Sequence, residues 1–318
     1  KNFSNKNFLN IYLSGQYFQD KINSEDIIFP LILNNLNLDF NEPAFLNLKA
    51  RENKIVYNFN ALAQNKASFE KFNTVENLDN LVNLNDDEIF ASFFISNLKD
   101  IFEFLFSEHL TLEQKEIWQK KYDLDDKKIK EIVNYSGIFL TQAKNNKLDN
   151  KDVLNLEKYN YALILKTDKD DIEKIDERKE NIKQIIKNIA AFKNPVEKIK
   201  KLADSSSSIE LIADPASIDF ISENNLEILN VQNFNFVITT HNSNLILGNS
   251  KELITEILQD GSKQSDGANT DCDFLTGSEA LIMNTNKLTN GVLSFVDKLI
   301  LNFEQNGKNI NLNGCFLW

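Results

Sequence analysis

Phe90-Ala91-Ser92-Phe93-Phe94-Ile95-Ser96-Asn97-Leu98-Lys99-Asp100-Ile101-Phe102 is a short apolar run, a small polar pair and then a stretch with helical spacing. The phrase returns as Asn10-Ile11-Tyr12-Leu13-Ser14-Gly15-Gln16-Tyr17-Phe18 and as Ala280-Leu281-Ile282-Met283-Asn284-Thr285-Asn286-Lys287-Leu288. A self-similar strand-to-helix unit predicts a scaffold built by repetition, because each unit buries its apolar face against its neighbours. Period-two segments surround it. Ala44 to Ala50 alternates apolar and polar residues, breaks at Arg51-Glu52-Asn53 and resumes in Ile55 to Leu62, the pattern of an antiparallel hairpin. A second hairpin is predicted from Phe234 to Thr240, through His241-Asn242-Ser243-Asn244, to Leu245 to Gly248. The expected fold class is α+β: antiparallel sheets built from hairpins, amphipathic helices packed on one face, and repeated strand-helix units.

Two helices carry clear signals. Asn249-Ser250 offers an N-cap for a helix presenting Leu253, Ile254, Ile257 and Leu258 on one face. The longest amphipathic segment places Ile175, Ile182, Ile185, Ile186 and Ile189 at three- to four-residue steps. A break is expected at Pro195, with Val196, Ile199 and Leu202 continuing the same helical face beyond it. Thr111-Leu112-Glu113-Gln114 has capping-box spacing, while Ile138 to Ala143 and Tyr161 to Lys166 read as strands. Ser205 to Ser208 precedes a strand at Ile209 to Ile212 and marks the expected lobe boundary. It divides the chain into an N-terminal lobe, residues 1–204, and a C-terminal lobe, residues 209–318, unless the two form one continuous domain.

Composition narrows the functional classes. The chain has 318 residues, 42% hydrophobic and 26% charged, enough to bury a substantial core. Lys, Asn, Ile and Phe are abundant, whereas Gly is 9, Pro 4 and Arg only two, at Arg51 and Arg178. AT-rich codons produce that bias, so Asn-rich stretches and the 24 Phe are discounted as functional signals. A net charge of −12 repels phosphate backbones and the dearth of Arg removes their best bidentate ligand, so no nucleic-acid partner is expected. The apolar stretch Ile89 to Leu105 is interrupted by Ser96, Asn97, Lys99, Asp100 and Glu103. It falls short of the roughly 20 apolar residues of a membrane span, so none is expected in this chain. The first residue is Lys1 rather than Met, which leads us to expect a mature exported chain, periplasmic or attached to the cell envelope.

Candidate chemistry is sparse. His109 and His241 have no second ligand at metal spacing, and surface or structural roles are expected of both. Asp168-Lys169-Asp170-Asp171 and Asp123-Leu124-Asp125-Asp126 read as charge at helix starts. Asp266, Asp271 and Asp273 match no ordered calcium-loop pattern. Phosphate loop, nucleophile elbow, CxxC and paired-His signatures are missing, so no catalytic residue, metal or cofactor is assigned. Cys272 and Cys315 are a candidate disulfide that would clip a loop to the last strand; two unpaired thiols are the other reading. Phe90, Phe93, Phe94, Phe102, Phe104 and Phe106 crowd a short region that reads first as core. A sharper reading makes Phe93, Phe94 and Ile186 the wall of a cavity for a lipid or other apolar ligand.

Leu84 to Ile101, then Tyr135-Ser136-Gly137-Ile138-Phe139-Leu140, then Phe236 to Thr240 with Asn244 to Leu253 carry a likeness that covers about two-thirds of the chain. In these phrases the chain resembles bacterial domain-of-unknown-function families of exported, often lipid-anchored, envelope proteins. Members carry a Gly and an acidic residue where this chain has Gly137-Ile138. The resemblance implies an envelope location, a mixed α+β fold with antiparallel sheets and no known activity, and it carries over no functional residue. The expected function is a non-enzymatic module that holds a protein partner. A lipid or apolar-ligand carrier is the alternative, and a hydrolase or secreted effector a weaker one.

Overall fold

The computed structural model describes residues 9–13, 42, 44–51, 54–62, 89–95, 116, 119–120, 137–145, 147–148, 155–166, 174–202, 206–232, 234–260, 279–288, 297–306 and 308–317. The chain divides into two compact units. Unit one comprises Lys1–Ser96, Ile138–Asn160 and Asp260–Trp318, and unit two Asn97–Gly137 and Tyr161–Gln259.

Unit one is an antiparallel sheet. Its strands are β1 (Leu9–Leu13), β2 (Ala44–Arg51), β3 (Lys54–Leu62), β4 (Ala91–Ile95), β5 (Gly137–Ala143), β13 (Glu279–Asn284), β14 (Lys298–Asn306) and β15 (Asn309–Leu317). The order across it is β1-β2-β3-β15-β14-β13-β4-β5. β2 and β3 form the hairpin that alternation predicts, with Arg51 opposite Lys54. β15 then joins residues from the far end of the sequence to β3, Gly314 facing Tyr57.

Alternation gives this sheet one apolar face. Tyr57, Met283, Leu299, Leu46, Leu48, Leu301, Leu312 and Phe316 pack there with Phe90, Tyr159, Leu148 and Leu288. Phe90 is core, its ring centroid 5.3 Å from that of Tyr159. Its N–H donates to the Thr141 carbonyl at 2.8 Å and its carbonyl accepts from the Asn284 N–H at 2.8 Å. The Tyr57 ring crosses β15 at Gly314, and its hydroxyl donates to the Ile300 carbonyl of β14 at 3.3 Å. A Cβ at position 314 would overlap the ring and that carbonyl, so only glycine lets the tyrosine lie flat across the strand.

In unit two the strand order is β6 (Tyr159–Lys166, begun in unit one), β12 (Asn244–Gly248), β11 (Phe234–His241), β10 (Leu226–Val231) and β9 (Ile221–Glu223). β11 and β12 form the second predicted hairpin, closed by Asn242 and Ser243 with φ of 49° and 62°, the left-handed pair of a type I′ turn. On one face lies α1 (Ile175–Lys193), with Ile182, Ala190 and Ala191 against Leu165, Leu229, Phe236, Ile238 and Leu245. On the other, α2 (Lys251–Asp260) buries Leu253, Ile254 and Ile257, with Ile254 beside Gly248. The α2 start is capped as predicted: the Leu253 N–H donates to Ser250 Oγ at 3.2 Å. A separate two-stranded ribbon pairs β7 (Val196–Lys201) with β8 (Ser207–Ile212).

The expected α+β fold of repeated strand-helix units is corrected. Among the described residues fifteen strands accompany two α-helices, and every strand pair with a described register is antiparallel. The three repeated phrases contain β1, β4 and β13, and β13 leads into a single 3₁₀ turn, Thr285–Lys287, rather than a helix. The helices of unit two also lie on opposite faces of the sheet, not on one. A short apolar run looks alike in a buried strand and in a buried helix, and partner strands settle which it becomes. Val196, Ile199 and Leu202 likewise do not continue α1. The helix stops at Asn194, whose backbone and side-chain N–H groups both donate to the Ala190 carbonyl, at 2.9 and 3.0 Å.

Gly314→Ala is expected to lose about 1–3 kcal/mol in urea unfolding, from overpacking against the tyrosine ring. Tyr57→Phe, which removes only the hydroxyl, is expected to lose about 1 kcal/mol. Equal stability of Gly314→Ala and the parent chain would contradict the crossing.

Candidate functional site

The β7-β8 ribbon is the most unusual surface in the described residues. Its register sets Ile199 opposite Ile209 and Glu197 opposite Leu211, which puts both isoleucines and Leu211 on one side. That side faces water: Ile199 is 71% exposed, Ile209 67% and Leu211 64%. An isolated two-stranded hairpin is marginally stable in water, so the conformation must be held at its base.

Both feet are anchored. One foot leaves α1 directly after the Asn194 cap. The other ends at Asp214, whose carboxylate accepts the Ala216 N–H at 3.0 Å and whose carbonyl accepts the Ser217 hydroxyl at 2.7 Å. Near the ribbon's first foot, Lys193 Nζ sits 5.1 Å from the Phe234 ring centroid.

α1 itself is clamped to the sheet by charge. Lys179 Nζ lies 2.6 Å from Glu227 Oε1, Lys183 bonds the other Glu227 oxygen, and Lys183 also reaches Glu180 at 2.8 Å. Lys187 meets Asp219 at 3.1 Å. Burial pushes the Glu227 carboxyl up, but the hydrogen bonds and charges of Lys179 and Lys183 outweigh it and hold the group below the ordinary carboxylate range. Burial pushes the Lys183 ammonium down, and its bonds and charge interactions with Glu180 and Glu227 more than offset that, raising it. Lys179 and Lys183 thus tie α1 to β10 through Glu227.

The ribbon was hidden from sequence reading because Val196, Ile199 and Leu202 also repeat at helical spacing. The signal that finds it is a Pro-terminated helix followed by two short charged-apolar segments about a serine run, a hairpin arrangement.

The other predicted positions fall as follows. Cys315 is disulfide-bonded, fully buried in β15 and beside Ile300, Val56 and Leu317. Cys272, the other cysteine of the chain, lies outside the described residues. Phe93 pairs with Leu281 through the backbone of β4 in unit one; the side chains of Phe93 and Phe94 lie outside the description. Ile186 belongs to unit two, where it packs at the margin of the aliphatic core beneath α1. His241 ends β11 at the hairpin, its Nε2 3.0 Å from the Asn242 amide nitrogen. His109 and the acidic clusters at Asp123, Asp168 and Asp266 lie outside the described residues. Ser207 and Ser208 of the expected lobe boundary open β8, within unit two. Among the described residues no three His, Cys, Asp or Glu side chains gather to hold a metal, and no helix is long and apolar enough to cross a membrane.

Compared with protein-family models, characterised proteins and solved structures, the chain gives no significant match.

Two outcomes are expected of this geometry. Glu227→Gln should lower stability at neutral pH by about 1–3 kcal/mol by removing the charge partner of Lys179 and one of the two charge partners of Lys183. Because the folded carboxyl titrates below its ordinary 4.5, the clamp is complete above that value and fades as pH falls through the lower folded one. The gap between variant and parent in urea unfolding should therefore close in acid, and a constant gap would contradict the clamp. Unreduced tryptic mass mapping should recover Cys272 and Cys315 in one linked peptide pair; two alkylatable thiols would refute that pairing.

Proposed function

We propose that this chain is a non-enzymatic interaction module of the bacterial cell envelope that holds a protein partner through the β7-β8 ribbon. The observation that carries this reading is the anchored ribbon with Ile199, Ile209 and Leu211 turned to solvent. Exposed apolar side chains on a preformed element supply contact area at little ordering cost.

Charge narrows the partner. Over residues 196–212 Lys198, Lys200 and Lys201 are balanced by Glu197, Asp204 and Glu210, a neutral arm on a chain of net charge −12, and Ile199, Ile209 and Leu211 share their side with one charge of each sign, Glu197 and Lys201. An apolar surface of low net charge complements it. The disulfide at Cys315 supports an oxidising compartment and thus an exported protein, in line with the resemblance to envelope families. For the apolar-carrier reading, the one described wall residue, Ile186, packs against an aliphatic core, which favours a structural part for it.

A photo-crosslinking residue at position 199 or 209, introduced in the native bacterium, tests the ribbon. One dominant protein adduct is expected from either position, absent when the crosslinker replaces Lys49 in unit one. Leu211→Asp in the crosslinking chain should remove the adduct while leaving thermal unfolding within about 2 °C, since an exposed site contributes little to stability. The same adduct from all three positions, or none, would sink the proposal.

A further inference from the structure

On the other side of the unit-one sheet from Tyr57, side-chain amides line up across neighbouring strands. Asn47 of β2 faces Asn58 of β3, and Asn58 faces Asn313 of β15. The backbone register continues this row to Asn10 in β1 and to Asn302 in β14, five asparagines on five adjacent strands. One step along, Asn60 faces Asn311. Codon bias explains how many asparagines a chain has, but it does not explain their alignment in one register row.

The amides are joined to one another. Asn60 donates to Asn58 Oδ1, and Asn58 in turn donates to Asn313 Oδ1. Each amide has two N–H groups and two lone pairs, so these bonds consume about half of the capacity of Asn58. Asn47, Asn58 and Asn313, with Asn60 and Asn311 beside them, are half-buried, neither sealed in a core nor fully in water.

The Asn60 row ends in aromatic side chains. Phe45 faces Asn60 across β2 and β3, and Tyr12 faces Phe45 across β1 and β2. Their rings meet edge to face with centroids 5.6 Å apart, while Tyr12 remains 66% exposed and Phe45 48%. Toward the opposite end of this face, the next row is Val56, Cys315 and Ile300, and it is apolar, with Cys315 completely buried. The face therefore grades from fully buried at Cys315 and Ile300, through the half-buried asparagines, to exposed at Phe45 and Tyr12.

We infer that this amide row and aromatic pair form a binding face for a neutral polysaccharide chain. A sugar ring has polar edges and an apolar C–H face. Fixed amides match the hydroxyl edges, because both amide and hydroxyl donate and accept and each replaces an ordered water without loss of hydrogen bonds. An exposed ring with a negative π face matches the polarised C–H face. Strand spacing of about 4.8 Å repeats the amides on the scale of one sugar unit. An uncharged glycan also suits a chain of net charge −12 better than a phosphate polymer does. This site lies in unit one and stands independently of the ribbon.

Native gels cast with hydroxyethylcellulose, dextran or mannan test it on the full chain. Retarded migration is expected with at least one of the three. Tyr12→Ala should bind that polysaccharide about tenfold more weakly, the loss of one exposed aromatic contact. Asn47→Ala should weaken it too; Tyr12→Ala should keep the parent's thermal unfolding curve because Tyr12 is largely exposed, and Asn47→Ala, at a half-buried position, should shift the midpoint by less than about 4 °C. Unretarded migration in all three gels overturns the inference. So does retardation unchanged in both variants, and so does a concentration-dependent dimer that Tyr12→Ala disperses, which would assign the face to a second copy of this chain.

Discussion

The pairing of β3 with β15, and of β15 with β14, is the interaction on which unit one rests. Tyr57 and the Ile300 carbonyl it reaches are 243 positions apart in sequence, so this bond closes the sheet between the two ends of the chain. Glycine at 314 makes the close approach possible, and any other residue there would push the tyrosine ring away from the strand. Because side chains alternate at period two, the register that lays Tyr57 across Gly314 on one face also sets Asn58 beside Asn313 on the other. A slip of one residue would lose the buried tyrosine and the amide row together.

Unit two depends on a different kind of fixation. α1 buries isoleucine and alanine over the sheet, and the Lys179, Lys183 and Glu227 cluster sets its position on β10. The ion pairs contribute less than the apolar burial but are more directional, since half-buried charges leave little freedom in where the helix sits. That directionality matters at the C-terminal end of α1, where the ribbon begins. A firm base lets a short two-stranded arm keep apolar side chains in water, which a free hairpin of that length does not do.

The two surfaces proposed to bind are chemically unlike. The ribbon is apolar on one side and carries no net charge, whereas the open face of unit one is lined by neutral amides and ends in two rings. A polymer is thus assigned to one unit and a protein to the other. Both surfaces are made of side chains that local reading assigned elsewhere: Ile199 to the continuation of a helix, and the asparagines to codon bias.

Local pattern by itself determined the two hairpins, the start of α2 at Ser250 and the end of α1 before Pro195. Each depends on residues within a few positions of one another, so alternation, turn chemistry and capping suffice. Tertiary structure alone decided that the repeated apolar phrases are strands of a sheet, that Val196–Lys201 pairs with Ser207–Ile212, and that asparagines from five strands share one row. The physical reason is that a strand has no internal hydrogen bonds. Its partner, register and exposed face are fixed by residues that can lie hundreds of positions away, and no local spacing records them.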